Sequence, residues 1–87
     1  MAIRFTEYFM HNHKSVYLYC KEVDGELEGL NFDIHIQDSA QFDLKMCRTS
    51  EGHWTRVTQN IPDWVQEMIS PIVNHLEDRI SAKINDP

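Results

Sequence analysis

The stretch Leu30-Asn31-Phe32-Asp33-Ile34-His35-Ile36-Gln37, followed closely by Gln41-Phe42-Asp43-Leu44-Lys45-Met46, decides how this chain folds. Even-numbered positions are apolar and odd-numbered positions polar, and the phase survives the interruption at Asp38-Ser39-Ala40. A period of two is the mark of a half-buried strand, so the segment reads as a β-hairpin with one oily and one polar face. A three-residue loop sets Ile36 opposite Phe42, Ile34 opposite Leu44 and Phe32 opposite Met46. On the other face it sets His35 opposite Asp43 and Asp33 opposite Lys45. Opposite charges across strands add about 0.2–1 kcal/mol each, so both faces favour one register.

A two-faced sheet must cover its apolar side. The cover is expected from Ile61 to Ile84, where Val65, Met68, Ile69, Ile72, Leu76 and Ile80 recur at spacings of three and four. Trp64 and Val73 widen that stripe. Asn60-Ile61-Pro62-Asp63 supplies the start: proline suits a first turn, and Asp63 suits the positive end of the helix dipole. Pro71 removes a backbone donor and clashes with the carbonyl of Glu67, which predicts a kink or a restart with Ser70 as cap. An unbroken run to Ile84 would be roughly 35 Å long at 1.5 Å per residue.

Before the hairpin, Ser15 to Val23 reads as a strand with Val16, Leu18 and Cys20 on one side and Tyr17, Tyr19 and Lys21 on the other. Ile3 to Phe9 is rich in β-branched and aromatic residues and has no cap before it, which favours a strand over a helix. His11-Asn12-His13-Lys14 is turn-like. Parity argues for a Val23-Asp24-Gly25 loop with Gly25 at positive φ in a bulge. That loop pairs Glu22 with Glu26, Leu18 with Leu30 and Val16 with Phe32, and lays Tyr19 over Gly29. After Ser50-Glu51-Gly52, His53 to Thr58 is a last strand of unsettled phase, because Trp54 and Val57 cannot share a side without a bulge. The expected architecture is α+β: a single domain over residues 1–87, with an antiparallel meander of four to five strands (about 3–59) packed on one long C-terminal helix (about 61–84) kinked near Pro71.

The 87 residues carry a formal charge of −6, with 41% hydrophobic and 25% charged side chains. That balance fits a folded domain. A chain this short buries roughly 60–65% of its unfolded surface, so further burial in an oligomer would help it. The negative charge opposes binding to nucleic acid or anionic lipid. No apolar run approaches the roughly 20 residues of a bilayer span, and the first residues lack the pattern of a secretory signal, so no membrane association is expected. Cys20 and Cys47 do not form a metal or redox motif and read as reduced thiols in a cytoplasmic protein.

Three functional readings follow. The first is a non-catalytic protein-interaction module whose partner is another protein or a second copy (a homodimer). Its contact residues would be Tyr8, Tyr17 and Tyr19, with Met10, on the face opposite the helix, because tyrosine offers a large rigid contact at low entropic cost. The surplus apolar side of the helix is the other candidate contact. Trp54, between Arg48 and Arg56, is a further candidate contact as a cation–π cluster, and His75 is expected to face solvent. The second reading is a divalent-metal protein. If the second strand extends back to His13, the expected register brings His13, His35 and Asp43 into one row, two imidazoles and a carboxylate. The third is an acidic inhibitor of a nucleic-acid-binding protein, carried by Glu22, Asp24, Glu26 and Glu28, although such a run more commonly guards a sheet edge. Catalysis is not expected. His35 with Asp43 lacks a neighbouring nucleophile, and Cys47 lies roughly 13 Å along the strand at 3.3 Å per residue. Apart from the metal, no cofactor is expected.

Overall fold

In the computed structural model, which describes residues 2–25 and 27–85 (the side chains of residues 84 and 85 excepted), the meander has five strands. They are β1 (Arg4–His11), β2 (Lys14–Val23), β3 (Leu30–Gln37), β4 (Gln41–Arg48) and β5 (Trp54–Arg56), and they stand in the sheet in chain order, each antiparallel to the next.

The β3–β4 hairpin has the register its alternation dictates, with Ile36 opposite Phe42, Ile34 opposite Leu44, His35 opposite Asp43 and Asp33 opposite Lys45. Its loop is closed locally: Asp38 N–H donates to the Ala40 carbonyl (2.9 Å), while the Asp38 carboxylate accepts from Ala40 N–H (3.1 Å) and the Ser39 hydroxyl (3.0 Å). Those bonds hold the Asp38 carboxyl below its ordinary range, the Ala40 N–H contributing most. The β1–β2 turn is Asn12-His13, with φ of 49° and 64°. Two left-handed residues are what a primed two-residue hairpin turn requires, and asparagine tolerates that region better than most residues.

The β2–β3 register differs from the expected one. Leu18 faces Ile36, not Leu30; Cys20 faces Ile34, and Glu22 faces Phe32, not Glu26. Tyr19 lies beside His35 and not over Gly29. The slide is six residues, an even number, so every side chain keeps its expected face. The connection from Val23 to Leu30 is correspondingly longer, and its left-handed glycine is Gly29 (φ 119°), whereas Gly25 has no positive φ. A Cβ on Gly29 would stand 2.2 Å from the Arg48 carbonyl oxygen, so the close approach of backbone to backbone there needs glycine. Glu26 lies outside the described residues.

The phase of the last strand is settled by a step at its end. Trp54 faces Arg48 and Arg56 faces Met46, then Val57 and Thr58 N–H both donate to the Lys45 carbonyl (2.9 and 3.3 Å). Two residues against one is a bulge.

In place of one long helix, α1 (Asp63–Gln66) and α2 (Ile69–Asn85) are separated by a turn at Glu67 and Met68. Pro71 falls in the first turn of α2, where the missing N–H would have no partner within the helix. Val65 and Gln66 N–H both bond the carbonyl of Pro62, which caps α1 in an extended conformation.

The helices cover the even-numbered face of β2–β4. Val16, Leu18, Cys20, Phe32, Ile34, Ile36, Leu44 and Met46 are buried against Val65, Met68, Ile72, Leu76 and Ile80. Phe5 joins them, while Leu30, Phe42 and Ile69 sit at the margin. Each fully buried large aliphatic contributes about 1.5–3 kcal/mol before entropy is counted. No helix among the described residues is long and apolar enough to cross a membrane.

Candidate functional site

With the helices on one side, the odd-numbered face of β2–β4 is left bare, and the strand registers lay its side chains out in rows. One row runs Tyr8, Tyr17, Gln37, Gln41; the next Thr6, Tyr19, His35, Asp43; the third Arg4, Lys21, Asp33, Lys45. Even-numbered residues of β1 join the odd face because a two-residue turn sets His11 against Lys14.

In the first row the Tyr8 and Tyr17 rings meet edge to face, 5.1 Å between centroids. This is a favourable aromatic geometry. Tyr8 nevertheless remains 74% exposed, and Met10 beside it 65%. Tyr17 and Tyr19 are half-buried by their neighbours.

The middle row holds the expected His35–Asp43 pair, with Nδ1 to carboxylate 2.8 Å. Nε2 of the same ring is 3.5 Å from Gln37 Oε1. Behind it Lys45 meets Asp33 at 2.7 Å. His35, Asp43, Asp33 and Lys45 line a shallow depression of about 320 Å³ together with Tyr19 and Lys21. A carboxylate can orient an imidazole for proton transfer, but Asp43 is 88% exposed and water screens the pair. His13 does not enter this row. It sits in the β1–β2 turn, and Tyr19 is the β2 residue beside His35. Among the described residues, no group of three or more His, Cys, Asp or Glu side chains gathers where it could hold a metal.

At the far end of the face, residues 27–29 fold over the sheet. Cys47 points to this face yet is fully buried, its thiol 3.5 Å from the Glu28 carbonyl, and the Asn31 amide donates to the Leu27 carbonyl (2.8 Å). The sequence holds only a weak signal for this flap, the glycines at 25 and 29 flanking an acidic run. Glu22, expected at the acidic tip, turns inward: its carboxylate accepts from Ile3 N–H (3.0 Å) and lies 3.9 Å from Lys83.

Trp54 is on the helix-covered face. Its indole packs 5.9 Å from Phe32 and donates to Glu77 (2.8 Å), whose carboxylate also takes Arg48 Nε (2.7 Å). Arg48 thus serves Glu77 and not the tryptophan ring. Arg79, by contrast, lies over a ring, 4.8 Å from the Phe5 centroid, and is paired with Glu7. His75 is half-buried with its ring 5.1 Å from Phe9. These clusters join residues up to 72 apart in sequence, so no local pattern announces them.

A five-stranded meander with one helical layer and one bare, tyrosine-bearing face defines a class of architecture, and no activity attaches to that outline by itself. Comparisons with family models, with curated proteins and with solved structures find no match to this chain.

Proposed function

We propose that this chain is a non-catalytic protein-interaction module that associates with a second copy of itself through the β1 side of its bare sheet face. The observation that carries this reading is the coincidence of the uncovered face with Tyr8 and Met10, the most exposed large hydrophobic side chains among the described residues. Exposed aromatic and methionine side chains on a rigid sheet are favoured contact groups. The small size of the domain adds a motive, since burial between copies would supplement a single thin core. A cytoplasmic location belongs to the same reading and is supported by two buried free thiols.

Light scattering on an eluting peak tests it. The wild-type chain should run as a dimer at high micromolar concentration, and Tyr8→Ala combined with Met10→Ser should weaken the dimer at least tenfold while leaving the circular dichroism unchanged. A strict monomer at millimolar concentration would refute self-association.

A further inference from the structure

The two edges of the sheet are not equivalent. β5 is three residues long and ends in the Val57–Thr58 bulge, a device that discourages further pairing. β1 is eight residues long, continuous in register with β2, and carries no proline, lysine or bulge.

Its backbone polarity can be assigned. Glu22 N–H donates to the Ile3 carbonyl (2.7 Å), so Ile3 is bonded toward β2. Hydrogen-bonded and non-bonded pairs alternate in an antiparallel ladder. Phe5, Glu7, Phe9 and His11 therefore bond inward, and Arg4, Thr6, Tyr8 and Met10 direct their N–H and C=O groups out from the edge. The same four residues place their side chains on the bare face, where Tyr8 and Met10 are exposed. Unpaired backbone and exposed apolar surface thus fall on the same residues.

Resting on the self-association reading above, we propose that β1 pairs antiparallel with β1 of a second copy about a two-fold axis at Thr6, giving one continuous ten-stranded sheet. An isologous contact must be self-complementary, and antiparallel partners must share a face. A Thr6 centre sets Thr6 against Thr6, Arg4 against Tyr8 twice, and Ile3 against Phe9 twice. It brings guanidinium to an aromatic ring and apolar to apolar, with no like charges opposed. A Glu7 centre would oppose two carboxylates, and a Phe9 centre would leave most of the strand unpaired. With the axis perpendicular to the sheet, the α2 helices of both copies lie on the same side.

Two variants test the proposal by light scattering and cross-linking. Thr6→Pro removes an outward N–H that serves no bond within the chain, a position where an edge strand tolerates proline. It should keep the wild-type circular dichroism and shift the chain to monomer. Thr6→Cys should form an intermolecular disulfide under mild oxidation, since residues opposed in a bonded pair have Cα atoms about 5.5 Å apart. Tyr17→Cys, on the face but away from the edge, should not. A dimer that persists in Thr6→Pro, or cross-links at Tyr17→Cys in preference to Thr6→Cys, overturns the edge pairing and leaves self-association standing, and cross-linking at Tyr8→Cys in preference to Thr6→Cys overturns the two-fold at Thr6. A wild-type chain that is monomeric throughout overturns both. Should Thr6→Pro lose its fold, the cross-linking pattern decides alone.

Discussion

At Gly29 the backbone takes φ 119° and passes so near the end of β4 that a methyl group would strike the Arg48 carbonyl. Two penalties combine there, a left-handed conformation and a steric clash with immovable backbone. Gly52 has only the first, because at φ 89° its nearest neighbour would be the flexible Arg48 guanidinium at 3.4 Å. Urea denaturation should show Gly29→Ala losing about 2–4 kcal/mol and Gly52→Ala about 1 kcal/mol. Equal losses would contradict the close approach. Glu77 carries the pH dependence at this scale. Hydrogen bonds from Arg48, and then from Trp54, hold its carboxyl below the usual range despite partial burial. A pKa lowered by folding means stability that is present above the unfolded value and lost as pH falls through the folded one. Glu77→Gln should therefore cost about 1 kcal/mol at neutral pH, a figure kept small because the pair is half-exposed, and less at acid pH. Thermal midpoints at the two pH values check this.

Among the elements, the hairpin β3–β4 was legible because both of its faces specify the same pairing: Ile34 with Leu44 inside, His35 with Asp43 outside. The β2–β3 pairing was not. A slide of six residues preserves the face of Leu18, Cys20 and Tyr19 alike, so alternation is blind to it, and only the path of residues 24–29 decides. Pro71 is a similar case. Its clash with Glu67 is visible in the sequence, but the chain resolves it by ending α1 early and placing the proline in the opening turn of α2. The flap at residues 27–29 has a consequence for reactivity. Cys20 sits inside the core, where burial first and Glu7 second push its thiol up to about 12. Cys47 faces the other side of the sheet, its thiol 3.5 Å from the Glu28 carbonyl of the flap. In a time course with a thiol-reactive probe read by peptide mass, Cys47 should label through local opening well before Cys20, whose exposure needs global unfolding. Simultaneous labelling would mean that the flap opens only with the whole domain.

For the whole molecule, the layer order and nearly all of the core follow from two periodicities, two in the sheet and about three and a half in the helix. The candidate site was legible only in part. The tyrosines fell on the bare face because parity carries across any even slide, whereas the His13–His35 row depended on a register that parity cannot fix. If two copies share one sheet, stability must depend on concentration. The thermal midpoint should rise between about 10 μM and 1 mM chain, at about 4–8 °C per kcal/mol gained. A midpoint constant over that range would speak against association. The long β2–β3 connection also bears on how the domain is reached in time. A hairpin closed six residues earlier, with Leu18 on Leu30 and Val16 on Phe32, would bury the same kinds of side chain across a shorter loop, and shorter loops close at lower entropic cost. A chain that first closed that shorter loop would have to unzip it before Tyr19 could reach His35, its neighbour in the folded sheet.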